Sequence, residues 1–169
     1  MSTSTASPPP DKPQDVLIAD IAEAFANGYT LGDLFNYNDR DYEAIYALGY
    51  GLYSQARYLD ALKAFALLTM NKPLERRFVN AHASCLQMLN RHEDAIAFYS
   101  MASICDITDP RPTYHTAECL IALGRIEEAG DALRIVTEQC KTAGLDALKT
   151  RAEALLELLK TPHSSKEET

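Results

Sequence analysis

Arg57-Tyr58-Leu59-Asp60-Ala61-Leu62-Lys63-Ala64-Phe65 recurs, loosely spelled, as Arg91-His92-Glu93-Asp94-Ala95-Ile96-Ala97-Phe98-Tyr99 and again as Arg125-Ile126-Glu127-Glu128-Ala129-Gly130-Asp131-Ala132-Leu133. The three copies stand 34 residues apart. Each has an arginine four positions before the central alanine, an acidic residue directly before it, and a large apolar residue four positions after it. Seven positions after each alanine come Leu68, Ala102 and Val136. Small and large residues four apart lie on one face of a helix, one turn above the other. A small residue lets a second helix approach closely, and the large residue then covers the contact.

A 34-residue beat with this spacing is the tetratricopeptide pattern, in which each unit is a pair of antiparallel helices. One pair cannot bury its apolar face alone, so pairs stack and leave a concave groove. The expected fold is therefore all-α: three helix pairs with N-terminal and C-terminal capping helices. The expected layout is a disordered arm over 1–12, a helical cap or dimerisation region over 13–41, three repeats over 42–141, a capping helix over 142–160 and a flexible tail over 161–169.

Working outward, the first repeat's leading helix has Ile45, Leu48, Gly49 and Leu52 on its packing face. Gln55-Ala56-Arg57 forms the turn, and Ala56 stands where glycine would be more usual, so some backbone strain is expected there. Asn90 and Gly124 take the equivalent turns. Arg57, Arg91 and Arg125 are read as caps on the helix C-termini. In the second repeat Val79, Ala83 and Leu86 pack inward, and in the third, opened by Pro110, Ala117 and Leu120 do so. Gly144 is the breaker before a last helix carrying Leu148, Ala152, Leu155, Leu156 and Leu159. Upstream of the array, Val16, Leu17, Ile21, Ala24 and Phe25 show helical spacing up to Asn27-Gly28, and Thr30 caps a short second piece with Asp33 at its N3 position.

Composition narrows the function. The chain has 169 residues, 47% hydrophobic, with a net charge of -8. That charge argues against nucleic acid and against an anionic membrane surface. No apolar run reaches the roughly 18 residues of a membrane span, and the Ser/Thr/Pro-rich start lacks the features of a secretory signal. Cys85, Cys105, Cys119 and Cys140 form no C-x-x-C pair and read as buried free thiols in a reducing cytoplasm. No phosphate loop, G-x-S-x-G or H-E-x-x-H motif is present, so no catalytic residue and no cofactor is assigned. His115 with Cys119, and His82 with Cys85, have ligand-like spacing, but no further ligands follow and no metal site is assigned. His115 reads as a structural histidine bonded to a carbonyl or carboxylate. Glu43 and Glu118 could both approach the groove, but as an acid/base pair they lack a nucleophile.

The first helix of each pair lines the concave side. On the first repeat its remaining face carries Tyr46, Tyr50 and Tyr53, one stripe of large amphipathic rings. Packing against the N-terminal helix is the other reading of these tyrosines. The equivalent positions are Asn80, Ser84 and Gln87 in the second repeat and Tyr114, Glu118 and Ile121 in the third. Such a groove suits an extended segment with a few apolar anchors and backbone hydrogen bonds to Asn80 and Gln87.

The runs Asp106-Ile107-Thr108-Asp109-Pro110-Arg111 and Tyr114-His115-Thr116-Ala117-Glu118-Cys119-Leu120 resemble the third-repeat signature of class II type III secretion chaperones, the SycD/LcrH/IpgC group. So do Ile45-Tyr46-Ala47-Leu48-Gly49-Tyr50-Gly51-Leu52-Tyr53, Arg77-Phe78 and Phe25-Ala26-Asn27-Gly28-Tyr29-Thr30-Leu31. The likeness covers roughly residues 15–160. It implies a cytoplasmic chaperone of a Gram-negative bacterium that holds hydrophobic translocator proteins before secretion. The client would enter the groove through a P-x-L-x-x-P-like segment. The resemblance also implies a possible homodimer through the N-terminal helix, with Leu17, Ile21 and Phe25 at the contact. Asn80 departs from the group, which more often has an apolar residue there. The rival reading is a generic tetratricopeptide scaffold binding another cytosolic partner's peptide. A scaffold clamping an acidic tail wants Lys and Arg in the groove, whereas here Arg77 and Arg111 stand beside three tyrosines.

Overall fold

The computed structural model describes residues 36–160 throughout, residues 30–34, and the single positions Glu23, Ala26 and Asn27. The expectations for the arm, for the helix carrying Leu17, Ile21 and Phe25, and for the tail after Lys160 lie outside the described residues. The chain divides into two units, Met1–Tyr37 and Asn38–Thr169. In the first, the short helix α1 (Leu31–Leu34) opens as its sequence requires. Thr30 donates both its backbone N–H and its hydroxyl to Asp33 Oδ2, at 2.7 and 2.8 Å. The Asp33 N–H returns a bond to the Thr30 hydroxyl at 3.3 Å, completing a capping box.

The second unit is a run of antiparallel helices: α2 (Asp39–Ser54), α3 (Tyr58–Asn71), α4 (Arg76–Met88), α5 (His92–Cys105), α6 (Arg111–Ala122), α7 (Ile126–Ala143) and α8 (Asp146–Lys160). No strand occurs among the described residues. The pairs are α2/α3, α4/α5 and α6/α7, and α8 packs on α7 as the cap. The first helix begins at Asp39, ahead of the expected Tyr42. The cause is a capping box that the repeat pattern hides: Asn38 Oδ1 accepts from the N–H groups of Arg40 and Asp41, and Asp41 accepts from the N–H of Asn38.

The alanines of the beat do what the pattern demands. Ala61, Ala95 and Ala129 are fully buried, as are the sites four residues on, Phe65, Tyr99 and Leu133. Each large residue meets a small one from the leading helix of its own pair: Gly49, Ala83 and Ala117 hold equivalent places, again 34 apart. At Gly49 the fit is tightest. A Cβ there would stand 2.8 Å from Phe65 Cε1 and 2.9 Å from Cζ, well inside contact distance. Leu48, expected on the packing face, is instead 60% exposed. Helical residues step by about 100°, and α2 turns on Gly49 so that the Phe65 ring can lie against its backbone, which swings Leu48 outward.

The three turns share one geometry. The N–H of Arg57, Arg91 and Arg125 reaches back to the carbonyl of Leu52, Leu86 and Leu120 at 2.9 to 3.0 Å. The N–H of Ala56, Asn90 and Gly124 bonds Tyr53, Gln87 and Ile121. This double closure needs a left-handed residue, and Ala56, Asn90 and Gly124 have φ of 59°, 58° and 74°. The strain expected at Ala56 is therefore real. The arginine side chains do not cap the preceding helix. They bind forward to the acid three residues on, Arg57–Asp60 at 2.8 Å, Arg91–Asp94 at 2.7 Å and Arg125–Glu128 at 2.6 Å. Only their backbone caps the C-terminus, because the guanidinium has a closer carboxylate.

All four cysteines are free, and Cys85, Cys119 and Cys140 are buried. Burial pushes the Cys85 thiol up to about 12 and the Cys119 thiol up to about 11, which keeps both protonated and unreactive. Among the described residues no helix is long and apolar enough to cross a membrane.

Candidate peptide-binding groove

Leading helices α2, α4 and α6 face one concave cleft of about 360 Å³. Tyr46, Tyr50 and Tyr53 of α2, with Asn80 and Ser84 of α4, line it. Their common facing follows from the repeat: residues 34 apart occupy equivalent turns of successive leading helices. Tyr46 leans on the buried rings of Phe65 and Phe78, both at 5.7 Å between centroids. Tyr53 meets Tyr58 edge-on at 5.2 Å. Tyr50 is 62% exposed and stands free over the opening.

Four of the expected groove residues fall outside this lining, each for a packing reason. Gln87 and Glu118 are drawn into a polar network under the cleft. Tyr99 donates its hydroxyl to Gln87 Oε1 at 2.8 Å, Gln87 Nε2 donates to Glu118 at 3.2 Å, and His115 Nδ1 lies 2.8 Å from the same carboxylate. Both the oxygen and the nitrogen of the Gln87 amide are thus engaged, which leaves one N–H of the expected hydrogen-bonding capacity for a bound main chain. Tyr114 is 3% exposed, buried with Ala152 in the core between the third pair and the cap, and Ile121 packs against the same cluster. The cap closes over this end: the Arg151 guanidinium sits 4.9 Å above the Tyr114 ring.

The network also explains its charges. Burial works against the Glu118 carboxylate, but the hydrogen bonds of His115 and Gln87 outweigh it and hold its pKa below the usual range. The structural role read for His115 is therefore met by a carboxylate, and its ring stacks on Tyr99 at 5.3 Å. His82 is buried as well, 3.2 Å from the Thr69 hydroxyl and stacked on Phe98 at 4.1 Å. Burial lowers its pKa.

Arg77 and Arg111 line the cleft as expected, and the structure adds Phe65, Arg76, Ala81, Tyr99, Asp109 and His115. Phe65 and Tyr99 could have been found from the beat itself, since the residue covering each small contact must underlie the groove floor. The carboxylates that face the arginines, by contrast, are not given by the repeat positions. Arg76 binds Asp106 at 2.6 Å and the buried Asp109 at 2.9 Å, and Arg111 shares Asp109 at 3.3 Å. Arg77 is held bidentately by Glu43 and stacks on Phe78 at 4.9 Å. Its hydrogen bonds hold the Glu43 carboxyl below the ordinary carboxylate range. Every guanidinium lining the cleft is thus matched by a carboxylate. Among the described residues no group of three or more His, Cys, Asp or Glu side chains comes together as a metal ion requires.

Three stacked helix pairs, a closing helix and an aromatic concave cleft make up a tetratricopeptide-type array. No family model matches the chain. It is 31% identical over 134 residues to low calcium response locus protein H of Yersinia pestis, across 79% of this chain and 80% of that protein. The type III secretion translocator chaperone SycD of Yersinia enterocolitica superposes with a TM-score of 0.70 at 30% identity, over 76% of this chain and 97% of that one. PcrH, known from Pseudomonas aeruginosa, matches with a TM-score of 0.69 at 31% identity in its complex with the chaperone binding region of PopD, over 72% of this chain and 92% of that one. The chain belongs to the low calcium response locus protein H (LcrH/SycD) family of type III secretion translocator chaperones.

Proposed function

We propose that this protein holds extended, largely apolar segments of hydrophobic type III secretion translocators in the α2–α4–α6 cleft and keeps them soluble before secretion. A P-x-L-x-x-P-like segment supplies the contact, and the tyrosine stripe supplies the anchors. Its work is binding, without catalysis, in the cytoplasm of a Gram-negative bacterium, with a second copy of the chain as a further partner. Family membership supports this reading, as does the complex of PcrH with a region of PopD. The observation that carries it is the stripe of Tyr46, Tyr50 and Tyr53 along a cleft whose arginines are already paired. A cleft clamping an acidic tail would need those cations unspent, which weighs against a generic scaffold of that kind.

Calorimetric titration with the chaperone binding region of PopD tests the proposal. Saturable binding by the parent, lost in a Tyr46→Ala/Tyr50→Ala variant that melts normally, supports it. Equal binding by both proteins would place the site away from the cleft, and no binding by either would count against the client class.

A further inference from the structure

An extended segment entering the cleft loses water from its own N–H and C=O groups, and each buried one must find a partner. On α4, the middle wall of the cleft, few side chains can serve. The Arg76 and Arg77 side chains are held by Asp106, Asp109 and Glu43. Ser84 gives its hydroxyl to the backbone carbonyl of Asn80 at 2.9 Å and stands 3.1 Å from the Tyr99 hydroxyl. The Tyr99 hydrogen goes on to Gln87. Asn80 is different. It lines the cleft on α4, partly buried, and its side-chain amide makes no hydrogen bond among the described residues.

A primary amide is a donor and an acceptor held side by side. In an extended chain the N–H and C=O of a single residue point to the same side, which is how antiparallel strands exchange paired bonds. The two fit each other at two points. We propose that Asn80 is the specificity-determining residue of the cleft: its Nδ2 donates to, and its Oδ1 accepts from, the main chain of one residue of the bound segment. The inference rests on the proposed function and deepens it. The residue lying opposite Asn80 must be extended and must carry an N–H, so proline is excluded there. Tyr46 and Tyr50 of α2 line the same cleft and offer rings to the segment's side chains. An aliphatic residue in place of Asn80 would leave the segment's two polar groups unmet.

The test uses the full chain and a fluorescein-labelled Pro-Ala-Leu-Ala-Ala-Pro peptide. A set of analogues carries one backbone N-methyl group at each non-proline residue in turn. In fluorescence anisotropy the parent should bind the unmodified peptide about tenfold more tightly than Asn80→Leu does, the loss of one well-made hydrogen-bonded pairing. One N-methyl analogue should be weakened to the same degree against the parent and should bind Asn80→Leu and the parent alike. Asn80→Asp keeps the shape and the acceptor but removes the donor, and should fall between the two. Thermal melts of both variants check that the fold is retained. If Asn80→Leu binds the unmodified peptide as well as the parent does, Asn80 sets nothing and the inference is overturned. It is also overturned if every analogue loses equally on both proteins, or if peptide side chains rather than N-methyl groups decide the difference. Failure of the parent to bind any peptide overturns the functional reading itself.

Discussion

Tyr46 and Tyr114 hold the same place in the first and third repeats, 68 residues apart, and meet opposite fates. Tyr46 lines an open cleft, whereas Tyr114 is buried beneath the capping helix with Arg151 over its ring. The positions next along diverge as well. Tyr50 stands out over the cleft, while Glu118 is tied to His115 and Gln87. A repeat register tells which way a side chain leaves its helix. Whether that direction ends in solvent or in a neighbour depends on what the chain places there, and here the neighbour is α8.

The sharpest test of this contrast is to remove one ring from each end. Tyr114→Ala empties a fully packed site and should lower unfolding stability by about 4 kcal/mol, read from urea midpoints. Tyr50→Ala removes an exposed ring and should leave the midpoint within about 0.5 kcal/mol. If both variants lose stability equally, the first repeat's stripe is core, and the contrast fails.

Next in size is the contact under the open end. Gly49→Ala drives a methyl group into the Phe65 ring, and should cost about 2 kcal/mol through overpacking. Ala83→Gly, at the equivalent place in the second pair, creates no clash and should lose about 1 kcal/mol of helix propensity together with the burial of one methyl group, with no strain. A Gly49→Ala variant as stable as the parent would mean that Phe65 can move aside, and that the floor of the cleft is softer than its packing suggests.

Binding then separates the two ends by function. Tyr50→Ala should weaken a cleft-bound segment by about 2 kcal/mol, roughly thirtyfold, as loss of an aromatic anchor does. Titration on a Tyr50→Ala protein whose melt is unchanged decides the matter. Unaltered affinity would move the anchors off the tyrosine stripe.

Between the two ends lies His82, and it makes the middle pair sensitive to acid. Burial favours its neutral form, so its folded pKa lies below the ordinary 6.5 while the unfolded chain titrates near that value. In that window the unfolded state binds more protons, and stability rises with pH. The contribution is complete above about pH 6.5 and is lost as pH falls toward the folded pKa. Glu118 adds a second loss at lower pH, since its folded pKa lies below the ordinary 4.5. Urea midpoints at pH 7.5 and 5.5 should therefore differ more in the parent than in His82→Gln. Equal differences would assign the acid sensitivity elsewhere.

The smallest expected change is a gain. Ala56 alone of the three turn residues is neither Gly nor Asn, and it sits at a φ of 59°. Ala56→Gly should raise stability by about 0.5 kcal/mol, the strain relieved less the extra freedom of the unfolded chain. The same exchange at Asn90 should gain less, because asparagine tolerates this geometry better.

Much of this molecule is legible without coordinates because its information is periodic. The beat at Ala61, Ala95 and Ala129 determines three helix pairs. The matching small residues at Gly49, Ala83 and Ala117 determine which faces touch, and even the left-handed turn at Ala56 follows from its place in the period. Such features depend on angular steps along one helix and on short turns, which neighbouring residues control. What the tertiary structure decided depends on residues brought together from afar. Arg77 meets Glu43 across 34 positions and Arg76 meets Asp109 across 33, so that the cleft's cations are neutralised. Gln87 and Glu118, which looked free for a ligand, spend their hydrogen bonds on each other across 31 positions. Tyr114 carries the same local pattern as Tyr46, but α8 covers it. Local spacing sets the direction of a side chain. Its exposure and its free valences are set by the surfaces that other parts of the chain bring against it.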